Sequence, residues 1–387
     1  MIAKHIKNLA PSGIREFFDL VLGMPEVISL GVGEPDFITP WRIREKSITA
    51  LEEGLTSYTS NKGLFSLRKA ISDFYERRYS LNYNPEEEIL ITVGVSEALD
   101  LSLRAILEPK DKVIVISPHF VAYPALTEIV GAIPIYLVTR QEENFKVNIK
   151  ELKRLICQKP KVIILNNPTN PTGVVYSLTE LKGIWEIIKN TNILIISDEV
   201  YDEINYVGKP SPFPLVDKKA KDRTILLNGF SKAYAMTGFR VGFACANKEI
   251  ISAMTKIHSY SIMCAPIVSQ IAACEAFKAY KELAKMKNEY KRRRDFIVEE
   301  FNRLGLKTIK PDGAFYCFSS IQKYKMDALE FAKRLLFKEN VAVVPGSAFG
   351  KEFSGFIRIS YANSLENLKE AIIRIERFLK NIDEKRS

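Results

Sequence analysis

The segment Asn228-Gly229-Phe230-Ser231-Lys232-Ala233-Tyr234-Ala235-Met236-Thr237-Gly238-Phe239-Arg240-Val241-Gly242 carries more chemical information than any other part of the chain. It follows the apolar run 224–227, which is typical of a buried strand, so it begins at a strand's carboxyl end. Open α/β sheets bind their ligands at that edge. A lysine among small and apolar residues can be desolvated and form a Schiff base, and the following arginine can bind a phosphate group. Taken alone, the segment also fits a surface turn.

Two more polar segments follow predicted strands. Asn166-Asn167-Pro168-Thr169-Asn170-Pro171-Thr172-Gly173 follows the run 161–165, and its Asn and Pro residues favour a rigid turn with amides available to a ligand. Ser197-Asp198-Glu199-Val200-Tyr201 ends the run 192–197, and its aspartate can pair with a protonated ring nitrogen or simply cap a helix. Because Asn170, Asp198 and Lys232 follow successive strands, we expect them to converge on one edge of a sheet.

Strands and helices alternate through the first two thirds of the chain. The predicted buried strands are 89–93, 113–116, 133–138, 161–165, 192–197 and 224–227, and amphipathic helices are predicted at 97–107, 148–158 and 177–189. This alternation predicts an α/β fold with a parallel sheet that is covered on both faces.

The pattern changes near residue 246. Residues 248 to 301 are predicted to be helical with a break at Ala265-Pro266. They are followed by predicted strands at 307–309, 314–319, 341–343 and 356–361 and helices at 327–337 and 365–379. We therefore predict three regions: 1–45 as an N-terminal arm and part of a small domain, 46–285 as a large domain, and 286–387 as a small α+β domain.

Composition narrows the class of protein. The chain has 387 residues, and 56 Lys and Arg against 46 Asp and Glu give a net charge of +10. The one dense basic cluster, Lys291-Arg292-Arg293-Arg294, lies among acidic residues and is typical of a solvated helix face rather than a nucleic-acid surface. No apolar run approaches the roughly 18 residues that cross a bilayer, and residues 1–7 lack the apolar core of a signal peptide, so we expect a cytoplasmic protein. Five scattered cysteines and three histidines argue against a disulfide framework or a metal site.

Together the three polar segments resemble fold-type-I pyridoxal-phosphate enzymes, and specifically the class I and II aminotransferases. The resemblance implies pyridoxal 5′-phosphate as cofactor and a large domain with a mainly parallel central sheet beside a smaller α+β domain. Three further motifs resemble those of archaeal and bacterial aspartate, aromatic and N-acetyl-diaminopimelate aminotransferases. They are Ser12-Gly13-Ile14-Arg15, Gly313-Ala314-Phe315-Tyr316 and Pro345-Gly346-Ser347-Ala348-Phe349-Gly350. Ile14 and Phe315 are interpreted as lining the substrate side-chain pocket, with ordinary packing as an equal alternative.

The resemblance also implies site residues. The implied catalytic residues are Lys232, Asp198 and Tyr201. The implied cofactor-binding set is Tyr58, Val95, Ser96, Glu97, Phe120, Asn170, Asp198, Tyr201, Ser231, Lys232 and Arg240. The implied substrate-binding set is Gly33, Phe120, Asn170 and Arg358, with Arg358 holding the α-carboxylate. Two departures from the family pattern are Phe120, where many relatives have Trp, and Gly229, where some have a hydroxyl residue.

The implied function is transfer of an amino group from an L-amino acid, such as aspartate or an aromatic donor, to a 2-oxo acid such as 2-oxoglutarate. The reaction would use a Lys232 Schiff base and follow ping-pong kinetics. Tyr58 is expected to reach the partner subunit's cofactor phosphate, which implies a homodimer with shared active sites and no nucleic-acid or membrane partner. Two alternatives stay open: a pyridoxal-phosphate β-lyase or synthase on the same fold, and a DNA-binding regulator, although no helix-turn-helix domain fits before Gly31.

Overall fold

The apolar runs form the centre of a seven-stranded sheet in the computed structural model, which describes residues 2–7, 9, 24 and 26–383. The strands in chain order are β1 (Ile28–Ser29), β2 (Ile89–Thr92), β3 (Lys112–Ser117), β4 (Ile133–Val138), β5 (Val162–Asn166), β6 (Leu194–Asp198), β7 (Thr224–Gly229), β8 (Gly242–Cys245), β9 (Tyr316–Ser320), β10 (Val341–Ala342), β11 (Val344–Pro345) and β12 (Phe356–Ser360). The large sheet has the order β2-β8-β7-β6-β5-β3-β4. Only β8, which the sequence pattern missed, pairs antiparallel with its neighbours, so the prediction of a mainly parallel sheet is confirmed.

Helices cover both faces of this sheet. In the described part of the chain the α-helices are Lys4–Lys7, Trp41–Glu52, Phe65–Tyr79, Gly94–Ile106, Ala122–Ile129, Ile149–Ile156, Leu178–Ile188, Lys218–Asp222, Lys248–Ser261, Ile267–Ala276, Tyr280–Arg303, Ala328–Glu339 and Leu365–Asp383. Successive strand residues face opposite sides: Ile163 packs in one core with Trp185, and Ile164 packs in another with Leu103. The strands read as continuous apolar runs because both of their faces are buried.

The remaining strands form two small sheets. Strand β12 pairs antiparallel with β11 and β9, and β1 pairs parallel with β10 through Ile28 and Val341. The strand predicted at 307–309 is reduced to a single bridge between Thr308 and Ser319. The pairing of β1 with β10 attaches residues near the N-terminus to the C-terminal part of the chain, while the boundaries of the three predicted regions stay a prediction.

The topology brings the three polar segments to one edge of the large sheet. Strands β5, β6 and β7 are adjacent and parallel, so Asn170, Asp198 and Lys232 follow neighbouring carboxyl ends. This is the edge at which open α/β sheets bind ligands. None of the described helices combines the length and the apolar character that a membrane crossing requires.

Candidate active site

A cavity of about 390 Å³ opens at this edge of the sheet. Most of the predicted site residues line it: Gly33, Val95, Ser96, Phe120, Asn170, Asp198, Tyr201, Ser231, Lys232, Arg240 and Arg358. Tyr58 and Glu97 do not. The cavity wall also includes Glu34, Tyr123, Asn166, Thr237 and Tyr316, which the sequence patterns did not single out.

Lys232 lies on the turn that follows β7. Its Nζ donates a hydrogen bond to the carbonyl oxygen of Gly33 at 2.6 Å. Desolvation lowers the pKa of the Lys232 amine to about 8, and the nearby Glu34 carboxylate opposes that change. A sizeable fraction of the amine is therefore unprotonated near neutral pH, which is the form that attacks a carbonyl carbon.

Asp198 is the last residue of β6 and is buried at the cavity floor. The phenol of Tyr123 donates to its Oδ2 at 2.7 Å, and the amide of Val200 donates to its Oδ1 at 3.3 Å. Burial raises the pKa of the Asp198 carboxyl to about 6, while the Tyr123 hydrogen bond lowers it. Asp198 is thus mostly ionised at neutral pH and is suited to a cationic partner. Tyr123 lies three residues after Phe120, the spacing of one helical turn, which is the signal that sequence reasoning overlooked.

The helix Gly94–Ile106 points its N-terminus at the cavity, and three glycines allow it to approach so closely. Gly94 has φ +73°, and a Cβ there would lie 2.8 Å from Nη2 of Arg240. A Cβ on Gly242 would lie 2.7 Å from the Val95 amide nitrogen, and one on Gly229 would lie 3.0 Å from Cγ2 of Val95. The absence of a hydroxyl residue at 229 therefore has a steric reason. The close approach brings free helix amides and the Arg240 guanidinium together, as an anion site requires.

Glu97 caps this helix instead of lining the cavity. One carboxylate oxygen accepts a hydrogen bond from the Val93 amide, and the other lies 2.8 Å from Nδ1 of His258. The Glu97 side chain therefore provides a hydrogen-bond acceptor for the backbone amide of Val93, the residue that precedes the helix. The next amides, at the start of the helix, have no acceptor within it, which is the general property of helix N-termini.

Arg358 lies in the middle of β12 and is 2% exposed. Its Nη1 donates to Oδ1 of Asn170 at 3.2 Å, and its Nη2 donates to the carbonyl oxygen of Gly31. Within the described part of the chain its Nε is buried without an acceptor. Burial lowers the pKa of the guanidinium below its ordinary value. A buried cation with an unused donor that lines the cavity is suited to a carboxylate.

Two tyrosines occupy the wall near Arg358. The hydroxyls of Tyr201 and Tyr316 lie 2.8 Å apart, and the Tyr316 ring centroid is 4.5 Å from Cζ of Arg358. Phe315 is fully buried in the core beside Tyr290 and does not line the cavity. Of the two interpretations of Phe315, ordinary packing agrees with the structure: Phe315 lies in the turn before β9, and the first residue of that strand, Tyr316, lines the cavity instead. Ile14, the other residue interpreted as lining the pocket, lies outside the described residues.

A contact between Glu34 and Thr237 joins the loop 31–37 to the segment 228–242. The Thr237 hydroxyl donates to the Glu34 carboxylate, which ties the loop 31–37 to the segment that carries Lys232. Glu34 follows the predicted site residue Gly33, and Thr237 lies in the segment 228–242, but nothing in the sequence pattern indicated that they touch. Tyr58 is 79% exposed and lies away from the cavity of its own chain.

Comparison with known proteins agrees with this arrangement. Residues 25–375 match the model of the family described as aminotransferase class I and II. The chain is 46% identical to a putative aminotransferase, YugH, of Bacillus subtilis, covering 98% of both chains, and 40% identical to an aspartate aminotransferase of Pyrococcus abyssi, covering 96% of both. A solved aromatic aminotransferase from Pyrococcus horikoshii superposes with a TM-score of 0.90 at 38% identity, covering 95% of this chain and 99% of that one. The chain therefore belongs to the class I and II aminotransferases, enzymes that depend on pyridoxal 5′-phosphate.

Proposed function

We propose that this aminotransferase moves the amino group of an L-amino acid to a 2-oxo acid such as 2-oxoglutarate, with Lys232 and Arg358 as the groups that act on the substrate. The observation that carries the proposal is the buried guanidinium of Arg358, which lines the same cavity as Lys232. One group is suited to an α-carboxylate and the other to the proton on the adjacent carbon. Together they recognise the part that all α-amino acids share.

The residues present fit pyridoxal 5′-phosphate. The start of the helix Gly94–Ile106, with Ser96, Ser231 and Arg240 around it, forms an anion-binding site that suits the phosphate of the cofactor. Asp198 at the cavity floor is suited to a protonated pyridine nitrogen.

The rest of the ring has partners on the same cavity wall. Asn170 and Tyr201 offer hydrogen bonds to a ring oxygen, and Phe120 offers an aromatic face. When bound, the cofactor supplies an electron sink for negative charge that develops at the substrate Cα.

The chain's own groups hold and move the proton. Because the pKa of Lys232 is lowered to about 8, its Nζ can accept a proton from the substrate Cα and later return one as an acid. Arg358 fixes the carboxylate by two-point contact and so sets which bond at Cα faces that amine. Asp198 supports the cationic ring nitrogen through charge. We expect ping-pong kinetics, because donor and acceptor use the same cavity in turn.

The cavity wall favours donors with a large apolar or aromatic side chain. The cations among its described residues are Lys232, Arg240 and Arg358, and each has a proposed role already. The remaining wall includes aromatic rings and the aliphatic side chains of Val32, Leu99 and Val200.

A donor panel with 2-oxoglutarate as acceptor tests this preference. We expect a higher kcat/KM for phenylalanine and tyrosine than for aspartate. A strong preference for aspartate would contradict the proposed donor class and leave the transamination itself unaffected.

We further propose a homodimer that covers an exposed apolar surface around Tyr58. Tyr260 is 95% exposed, and Ile262 and Met263 beside it are also exposed. The Asn61 side chain donates to the Met263 carbonyl oxygen at 2.8 Å, which joins the Tyr58 loop and the 260–263 loop into one surface. A second copy of the chain would bury this surface and bring Tyr58 to the neighbouring phosphate. A fully active monomer in sedimentation analysis would contradict this assembly.

Neither alternative from the sequence is favoured, since the reported relatives with an assigned activity are named aminotransferases. Turnover of a 2-oxo acid acceptor separates a transaminase from a β-lyase or synthase. The cytoplasmic location stays a prediction.

A further inference from the structure

The segment Pro345–Gly350 has no role in the proposed chemistry, yet its path through the fold is tightly constrained. It forms a short 3-10 turn, Gly346–Phe349, between β11 and β12. A Cβ on Gly346 would lie 2.6 Å from the carbonyl oxygen of Phe356, the first residue of the strand that carries Arg358. Gly350 has φ +139°, and a Cβ there would lie 2.7 Å from Oγ of Ser117. Glycines at these two positions let the turn pack directly against β12 and β3.

This packing places Phe349 beside Arg358. Phe349 is fully buried, and its ring centroid lies 5.0 Å from Cζ of the guanidinium. Its carbonyl oxygen accepts a hydrogen bond from the His119 amide at 3.0 Å, which anchors the backbone next to Phe120 in the cavity wall. The Tyr316 ring contacts the same guanidinium at 4.5 Å. Arg358 is therefore held between groups from several segments.

Hydrogen bonds alone do not fix the orientation of the Arg358 guanidinium plane. Its two acceptors, Asn170 Oδ1 and Gly31 O, both bind terminal nitrogens, so the plane can still tilt about the line that joins them. A tilt would redirect the N–H donors that the terminal nitrogens still have to offer to a carboxylate. Aromatic faces restrict such a tilt, because a planar guanidinium stacks on them, and its weak hydration permits burial there.

We propose that Phe349, together with Tyr316, positions the Arg358 guanidinium for the carboxylate of the substrate; this inference rests on the α-carboxylate role proposed for Arg358. Phe349 is a positioning residue, since it acts through Arg358 and touches neither substrate nor cofactor. Phe349→Leu should therefore weaken carboxylate binding and raise the KM of amino-acid donors. The loss in kcat at saturating donor should be smaller than the rise in KM, because the reacting groups themselves are unchanged.

The probe is 3-phenylpropionate, a carboxylate that cannot react, titrated into the holoenzyme by calorimetry. For Phe349→Leu we expect about thirty-fold weaker binding, which corresponds to one cation–π contact of about 2 kcal/mol at a desolvated site. Phe318→Leu is the matched control. Phe318 is also buried, and its ring packs 6.1 Å from Phe349 and 5.1 Å from Phe356, but it is not among the rings that contact the guanidinium. Equal affinity in wild type and Phe349→Leu, or equal loss in both variants, would overturn the positioning role.

The variant Arg358→Lys distinguishes a failure of the positioning role of Phe349 from a failure of the α-carboxylate role of Arg358, on which it rests. If Arg358→Lys binds the probe as tightly as the wild type, the α-carboxylate role itself fails. If Arg358→Lys loses binding while Phe349→Leu does not, only the positioning role of Phe349 fails. Should Phe349→Leu not fold, Phe349→Met also removes the ring but has a more flexible side chain that can fill the space left behind, and the same two outcomes apply.

Discussion

Replacing Asp198 by asparagine tests whether this buried carboxylate destabilises the chain when no cation faces it. Burial raises the pKa of Asp198 from an ordinary 3.8 to about 6. The folded chain therefore binds more protons than the unfolded chain between these values, and its stability falls as the pH rises through this window. A difference of about two pH units corresponds to about 3 kcal/mol of unfolding free energy.

The assay is urea unfolding of cofactor-free wild type and Asp198→Asn between about pH 4 and about pH 7. Phosphate and sulfate are left out of the buffers because they bind helix N-termini. Relative to the variant, the wild type should lose about 2.4 kcal/mol across this range, because the unfolded carboxyl is already partly ionised at the acidic end. Comparing the two proteins cancels the titration of Asp202 and most of that of Glu199, whose pKa values burial raises to about 8; the Asp198 charge makes a smaller contribution to the raised pKa of Glu199. Parallel pH dependences would refute the reasoning.

The same substitution removes a destabilising charge from the folded chain but should harm catalysis. Asparagine cannot stabilise a protonated ring nitrogen by charge, so Asp198→Asn should still bind cofactor but lose orders of magnitude in turnover. Near-wild-type turnover would remove Asp198 from its proposed role.

Further variants test the other proposed roles. Lys232→Ala should lose transamination and the visible absorption of bound cofactor; borohydride reduction of the wild type followed by peptide mapping checks this, and a cofactor adduct on another lysine would refute it. Tyr123→Phe removes a hydrogen bond that lowers the pKa of Asp198, so the acidic limb of the kcat/KM profile should move up by about one pH unit; an unmoved limb counts against the contact. Mixing inactive Tyr58→Ala and Lys232→Ala subunits should restore part of the activity, because a hybrid dimer with shared sites holds one undamaged site; no rescue in confirmed hybrids contradicts sharing.

The sequence predicted the sheet well where burial dominates. Strands β5, β6 and β7 are buried on both faces, so their apolar runs are continuous, and the polar residues that follow them mark the sheet edge. Strand β8 escaped notice because it begins at Gly242 within a motif that reads as a loop. Strand β1 is two residues long and pairs with Val341 far along the chain, so no local pattern could indicate it.

Side-chain partnerships inside the site were harder to predict than its location. Which of Phe315 and Tyr316 faces the cavity depends on where the backbone becomes extended, and a shift of one residue exchanges them. The contact of Thr237 with Glu34 joins residues about 200 positions apart, and only the assembled fold brings them together. The role of Tyr58 stays a prediction, because the residue is exposed in the single chain and only the dimer experiment can identify its partner.

Gly242 has no functional group and would be passed over in any search for active residues. Because it lies so close to Val95, however, a substitution there should have a distinctive effect on cofactor binding. A methyl group at 242 would push on the Val95 amide nitrogen and on the backbone of Gly94, and so displace the start of the phosphate-facing helix. The lesion would lower affinity for the cofactor without altering any group that takes part in catalysis. Excess pyridoxal 5′-phosphate should therefore restore activity to a purified Gly242→Ala variant, whereas Lys232→Ala should not respond to added cofactor.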